Sequence, residues 1–278
     1  MAAVVQTRGF WYATAGAGTV GIVYYRAHIE ESPTGRRRFI NVGEAEEKQV
    51  GLLAYQQTMA EYGRQVISPS SPTHAYVSRV AQRIIQAAGL ASAGAWEVHV
   101  INSPEKNAFV LPGGQIFVFS GLLPLAETED GLATVLAHEI AHQYARHSAE
   151  KLSQARLLSL VYILAALFVD PTVVQIGGSM ASLLLELPNS RQCEQEADEI
   201  GLSFMARACY DPARAVDFWQ RMRSAEKIAP PQLLSTHPST ASRIEDIRSR
   251  IPDAELMREA ANCPSRDLTR DFFALLDR

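Results

Sequence analysis

Residues 129–147 read EDGLATVLAHEIAHQYARH, and the pentapeptide His138-Glu139-Ile140-Ala141-His142 within them decides how the rest of the chain is read. On a helix, positions i and i+4 share a face, so both imidazoles can reach one metal ion. Glu139 lies beside that pair, where it can hold a water on the ion. The spacing predicts a helix from near Thr128 to about Leu152, with Glu129 and Asp130 suited to its first turn. Two histidines leave a catalytic zinc one protein ligand short, since such a site takes three plus a water. His147 is a poor third. It stands five residues beyond His142, near the opposite face of the helix, and reads as a structural residue at the helix end.

The better third ligand lies downstream, in Ser190-Arg191-Gln192-Cys193-Glu194-Gln195-Glu196-Ala197-Asp198. Glu194 and Asp198 stand i and i+4 on a helix that continues to about Cys209. That spacing lets Glu194 ligate while Asp198 accepts a hydrogen bond from a ligand imidazole, fixing its tautomer and orientation. Glu196 is the rival ligand in the same run, and Cys193 reads as buried packing. A third piece is Ser235-Thr236-His237-Pro238-Ser239, followed by Arg243. A histidine before proline is ordinarily a turn residue, and His237 gains interest only beside a metal site that needs an oxyanion donor.

Outside these motifs the composition is that of a folded chain. Of 278 residues, 47% are apolar and 20% charged, which argues against disorder. The net charge of −4 gives no basic surface, so no nucleic-acid partner is expected. Cys193, Cys209 and Cys263 form neither a CxxC pair nor an even framework, so neither a disulfide scaffold nor a cysteine-built zinc site is expected. Residues 9–25, GFWYATAGAGTVGIVYY, carry no charge and have aromatic ends, as a short membrane anchor would. The competing reading is a Gly/Ala-rich core or targeting segment. Arg36-Arg37-Arg38 then lie in a linker, either on anionic headgroups or merely solvated. Helices are expected from about Ala45 and from about Thr73 to Ala88, the second with Val77, Val80, Ala81, Ile84 and Ile85 on one face. Trp96–Ile101 and Gln115–Phe119 read as strands, with a turn at Pro112-Gly113-Gly114. Residues 157–185 are two short apolar runs around Asp170-Pro171. They read as a buried hairpin or lid, or else as a membrane-surface hairpin. The tail from Pro252 ends in an amphipathic docking segment that includes Leu268, Phe272 and Leu276.

Together these motifs resemble the integral-membrane zinc metallopeptidases of family forty-eight. HEIAHQYARH at 138–147, EQEADEIGL at 194–202 and THPSTASRI at 236–244 match in order, as does NAFVLPGGQIFVFSGLL at 107–123. TGRRRFINV at 34–42, following one short span, is most similar to the family's mitochondrial Oma-type branch. The resemblance covers about Ala45 to Ile251.

The resemblance implies an α+β, predominantly helical fold: a gluzincin-type zincin domain with a small sheet and an N-terminal anchor helix. It implies a stub at 1–8, an anchor at 9–25, a basic linker at 26–44 and a peptidase domain at 45–278. One zinc ion is expected on His138, His142 and Glu194, with Glu139 as general base and Asp198 behind the ligands. His237 either stabilises the oxyanion or caps the zinc in a latent state. The substrate is expected to add as a strand along Asn107, Ala108, Phe109, Val110 and Leu111. The implied activity is endopeptidase cleavage of membrane or misfolded proteins in inner-membrane quality control, with the catalytic domain in the intermembrane space. The arginine count after the span predicts the opposite side. The resemblance is followed here, because import of nuclear-encoded proteins need not obey the insertion rule. Expected partners are polypeptides, the lipid bilayer and a further copy of the chain. The alternatives are a non-catalytic zinc-holding scaffold, a bacterial inner-membrane relative and a prenyl-protein protease.

Overall fold

The computed structural model describes residues 8–166, 191–226, 233, 237 and 241–264. These fall into two compact units: 1–50 with 145–190, and 51–144 with 191–278.

The first unit opens with helix α1 (Arg8–Ala27), covering the expected anchor. Tyr12, Val20, Ile22 and Val23 are exposed on it. No helix of the described residues is long and apolar enough to cross a membrane, and in α1 Gly9, Gly16, Gly18 and Gly21 dilute the apolar run. The expected linker is ordered as strands β1 (Ile29–Glu31) and β2 (Arg37–Phe39), paired antiparallel. Arg36 and Arg38 correct the headgroup and solvated readings, while Arg37 between them is exposed. Arg36 forks onto Glu150 with both contacts at 2.7 Å, and the buried Arg38 bonds Glu30 at 2.9 Å and the Ala145 carbonyl. Helix α2 (Glu44–Tyr62) begins in this unit and ends in the second.

The second unit holds the HExxH at 138–142 and the run at 194–198. Helix α3 (Pro72–Ala87) is capped by Ser71, whose hydroxyl accepts from the Thr73 amide, and Pro72 sits at its first position, where no amide is needed. Its buried residues are the five expected: Val77, Val80, Ala81, Ile84 and Ile85. Strands β3 (Glu97–Ile101), β4 (Ala108–Leu111) and β5 (Gln115–Phe119) form a sheet in the order β3-β5-β4. β3 runs parallel to β5, and β4 antiparallel to it with Phe109 opposite Phe117. β4 is therefore an edge strand. Tyr55, Met59 and Tyr62 of α2 pack on Ile101, Phe117 and Phe119.

After the short helix α4 (Leu123–Ala126), helix α5 (Glu129–Tyr144) carries the HExxH. Every residue from Gly131 to Ala141 on it is buried. A helix buried on all sides lies in the middle of a domain. Here α3, β4 and α8 (Arg214–Glu226) surround it. The expected continuation to Leu152 does not occur. Arg146 takes a left-handed backbone (φ 54°), held by its guanidinium on the Val42 carbonyl and Glu47, each at 2.9 Å. A new helix, α6 (His147–Ala166), then starts at the buried His147. On α6, Leu157, Leu160, Val161, Tyr162 and Ile163 are exposed, so this part of the expected hairpin is not buried; residues 167–185 lie outside the described residues.

Helix α7 (residues 191–207) carries Glu194 and Asp198, and α9 (Ala241–Ala260) contains Pro252 in its interior rather than starting a tail there. The end of that tail, Leu268 to Leu276, lies outside the described residues. Cys209 and Cys263 form a disulfide across 54 residues, which the expectation of no disulfide scaffold did not anticipate; the odd total concealed one pair, and Cys193 is buried outside it.

Candidate active site

The site is assembled from α5, α7, α9 and the segment holding His237. His138 Nε2 and His142 Nε2 are 3.1 Å apart, as expected of residues one turn apart with both rings turned to one side. Glu194 meets them from α7, with Oε2 3.3 Å from His138 and Oε1 3.4 Å from His142. His237 Nδ1 lies 3.3 Å from His138 Nε2 and 2.9 Å from both Glu194 oxygens. One donor atom from each of these four residues lies within 4.8 Å of all the others.

These separations test whether zinc fits. Four N/O donors at bonds of about 2.0 Å stand about 3.3 Å apart along the edges of a tetrahedron. The observed spacings of 2.9–3.4 Å fall around that value. The donor set suits zinc chemically as well, being imidazoles and one carboxylate. Glu139, one residue past His138, is buried, and its Oε1 makes no hydrogen bond among the described residues. His237 Nε2 is the near group, 3.5 Å away. A buried carboxylate oxygen without a donor is costly, and a water beside the metal would satisfy it.

Asp198 stands behind this group of candidate ligands. Its Oδ1 is 3.0 Å from His138 Nδ1, which leaves Nε2 of that ring facing the other donors. Arg243 forks onto Asp198, with Nε to Oδ2 at 2.7 Å and Nη2 to Oδ1 at 2.8 Å. Burial pushes the Asp198 carboxyl up, but Arg243 and His138 outweigh it and hold it below its usual range. Burial acts the same way on Glu194, and hydrogen bonds from three imidazoles hold it far below the carboxylate range. Burial and Arg243 push His138 down, yet Asp198 and Glu194 raise it to about 9. Desolvation pushes His142 well down. This field of carboxylates favours positive charge at the cluster, which a bound divalent ion would supply, and desolvation keeps His142 neutral, as a ligand must be.

Of the remaining expected residues, Ala108, Phe109, Val110 and Leu111 form β4 and Asn107 precedes it, its carbonyl accepting from the Phe119 amide at 3.0 Å. β4 packs beside α5. Glu196 is buried but stands apart from the four-donor group, and His147 also lies outside it. Three contributors had no role assigned from sequence. Arg243 sits in the matched THPSTASRI run, Trp219 has no local signal, and Gly201 closes EQEADEIG, where its proximity to His138 cannot be read from one chain.

Fold and donor set together define a zinc metalloendopeptidase of the HExxH kind. The family model described as Peptidase family M48 matches residues 71–251, and this chain belongs to that family. The chain is 46% identical to the mitochondrial metalloendopeptidase OMA1 of Schizosaccharomyces pombe, over 87% of this chain and 72% of that protein. It is 36% identical to the Saccharomyces cerevisiae protein of the same name, over 91% and 78%. It is 33% identical to the human metalloendopeptidase OMA1, over 89% of this chain but only half of the human protein.

Proposed function

We propose that this metalloendopeptidase cleaves extended segments of misfolded or membrane-associated proteins in mitochondria, at the inner membrane. The observation that carries the reading is the convergence of His138, His142 and Glu194 at near-tetrahedral spacing, with the buried Glu139 carboxylate beside them, its Oε1 without a hydrogen bond among the described residues. The mitochondrial setting rests on the names of the relatives. Inner-membrane attachment is supported by the exposed apolar residues of α1 and α6, and the placing of the catalytic unit in the intermembrane space rests on the resemblance to the Oma-type branch alone. Tethering through these faces suits substrates that are themselves membrane-bound.

Bound zinc would polarise the scissile carbonyl and acidify the attacking water. Glu139 takes the proton from that water and delivers it to the leaving nitrogen. Asp198 holds the His138 ring in one tautomer throughout. The substrate lies as an extended strand along β4, whose outer edge has no strand partner among the described residues; main-chain pairing there aligns a peptide with little demand on its sequence. His237 acts as a removable fourth donor that caps the site, an assignment supported by its 2.9 Å approach to both Glu194 oxygens.

The test is digestion of an unfolded model protein by the purified chain, before and after chelation and zinc replacement. Cleavage that is lost and then restored supports the reading. Cleavage indifferent to chelation, or none from a zinc-loaded chain even without His237, overturns it.

A further inference from the structure

Arg243 is 5% exposed, in the first turn of α9. A cation there opposes the helix dipole, so the helix itself does not call for it. Its guanidinium instead binds both carboxylates of the Glu194/Asp198 pair. The fork on Asp198 uses Nε and Nη2, and Nη1 stands 3.2 Å from Glu194 Oε2. Nη2 also flanks the His138 ring, 3.3 Å from Nε2. The indole of the buried Trp219 lies beneath, 3.8 Å from the guanidinium carbon, and meets the His138 ring edge-on at 5.6 Å. The planar group is thus fixed on one face by an aromatic ring and on its edges by two acids, a seat that a point charge would not fill.

We propose that Arg243, seated on Trp219, is the positioning residue of the metal centre: it sets the rotamer of Glu194 directly and that of His138 through Asp198. Two of the three protein ligands then depend on one side chain that touches neither substrate nor reacting atoms. The charge balance agrees. Glu139, Glu194 and Asp198 can bring three negative charges, and Arg243 with a divalent ion would cancel them. The inference rests on the zinc-peptidase reading.

The test compares wild type with Arg243→Lys, which keeps the charge and loses the fork, and with Trp219→Phe, which keeps a ring beneath an intact arginine. Zinc affinity is read by competition with a chelating dye, and the visible spectrum of the cobalt-substituted protein reports ligand geometry. Arg243→Lys is expected to weaken zinc about 10- to 100-fold and to shift the cobalt bands, the usual scale for losing an outer partner of a ligand. Trp219→Phe is expected to give a smaller loss in the same direction. At saturating zinc, Arg243→Lys should lower kcat and leave KM unchanged. Arg243→Lys with wild-type zinc affinity and cobalt spectrum, changed only in melting temperature, would overturn the proposal. Should that variant fail to fold, Trp219→Phe with an unaltered spectrum and affinity would do so. Absence of zinc binding by the wild type would instead refute the underlying reading.

Discussion

The backbone of Gly201 lies so close to that of His138 that a Cβ on Gly201 would stand 3.2 Å from the His138 nitrogen and 3.3 Å from its Cα. Two helices, α5 and α7, touch where they hold the candidate ligands. Gly201 is seven residues, two turns, beyond Glu194, so it shares that residue's side of α7 and sets how near the carboxylate comes to the imidazoles. Gly201→Val is expected to push the helices apart by a few tenths of an ångström or more. Zinc affinity should fall at least tenfold with helix content preserved, as read by dye competition and circular dichroism. Unchanged affinity would mean the helices tolerate the added bulk.

Gly51 of α2 makes a closer approach. A Cβ there would overlap the Pro112 carbonyl oxygen, in the turn that joins β4 to β5. Neither a helix backbone nor a tight turn moves cheaply. Gly51→Ala is expected to destabilise the chain by about 1–3 kcal/mol, the range for overpacking, despite alanine's better helix propensity. Chemical denaturation of the two proteins side by side measures it.

Asp130, in the first turn of α5, has its pKa raised by burial, partly countered by the Asp211 amide donating to Oδ1 at 2.8 Å. The folded chain therefore holds this proton more tightly than the unfolded chain does. Stability falls as pH rises from the unfolded carboxylate value, about 3.9, through the folded one, and stays lower above it. Asp130→Asn keeps the acceptor and removes the charge. It should be more stable than wild type at pH 7, with the difference vanishing below about pH 3.9, measured by urea midpoints at both pH values.

His237 is close enough to compete for the donors' centre. Its replacement by alanine is expected to raise the cleavage rate on an unfolded substrate, with zinc retained by His138, His142 and Glu194. A fall of about 10²–10³ in kcat would instead make His237 the oxyanion donor.

Periodicity made the α3 face legible, because its burial repeats at 3.6 residues; the strands at 97–101 and 115–119 were legible from their β-branched and aromatic content, and the helix at 129–144 from the HExxH spacing. The stop at Arg146 was not legible. It depends on Val42 and Glu47, about a hundred positions away. The arginine run at 36–38 looked like a surface cluster for the same reason, since Glu150 is its partner only in three dimensions. In the site, the spacings gave His138, His142, Glu194 and Asp198 as candidates. Trp219 and Gly201 act through packing and proximity, which leave no periodic mark.

The central claim is tested most directly by Glu139→Gln. Glutamine keeps the shape but cannot take a proton from water. Wild type and variant should both hold one zinc per chain by metal analysis, and only the wild type should cut an unfolded protein, the variant being slower by at least about 10²-fold. Equal cleavage by both, at equal zinc content, would contradict the account.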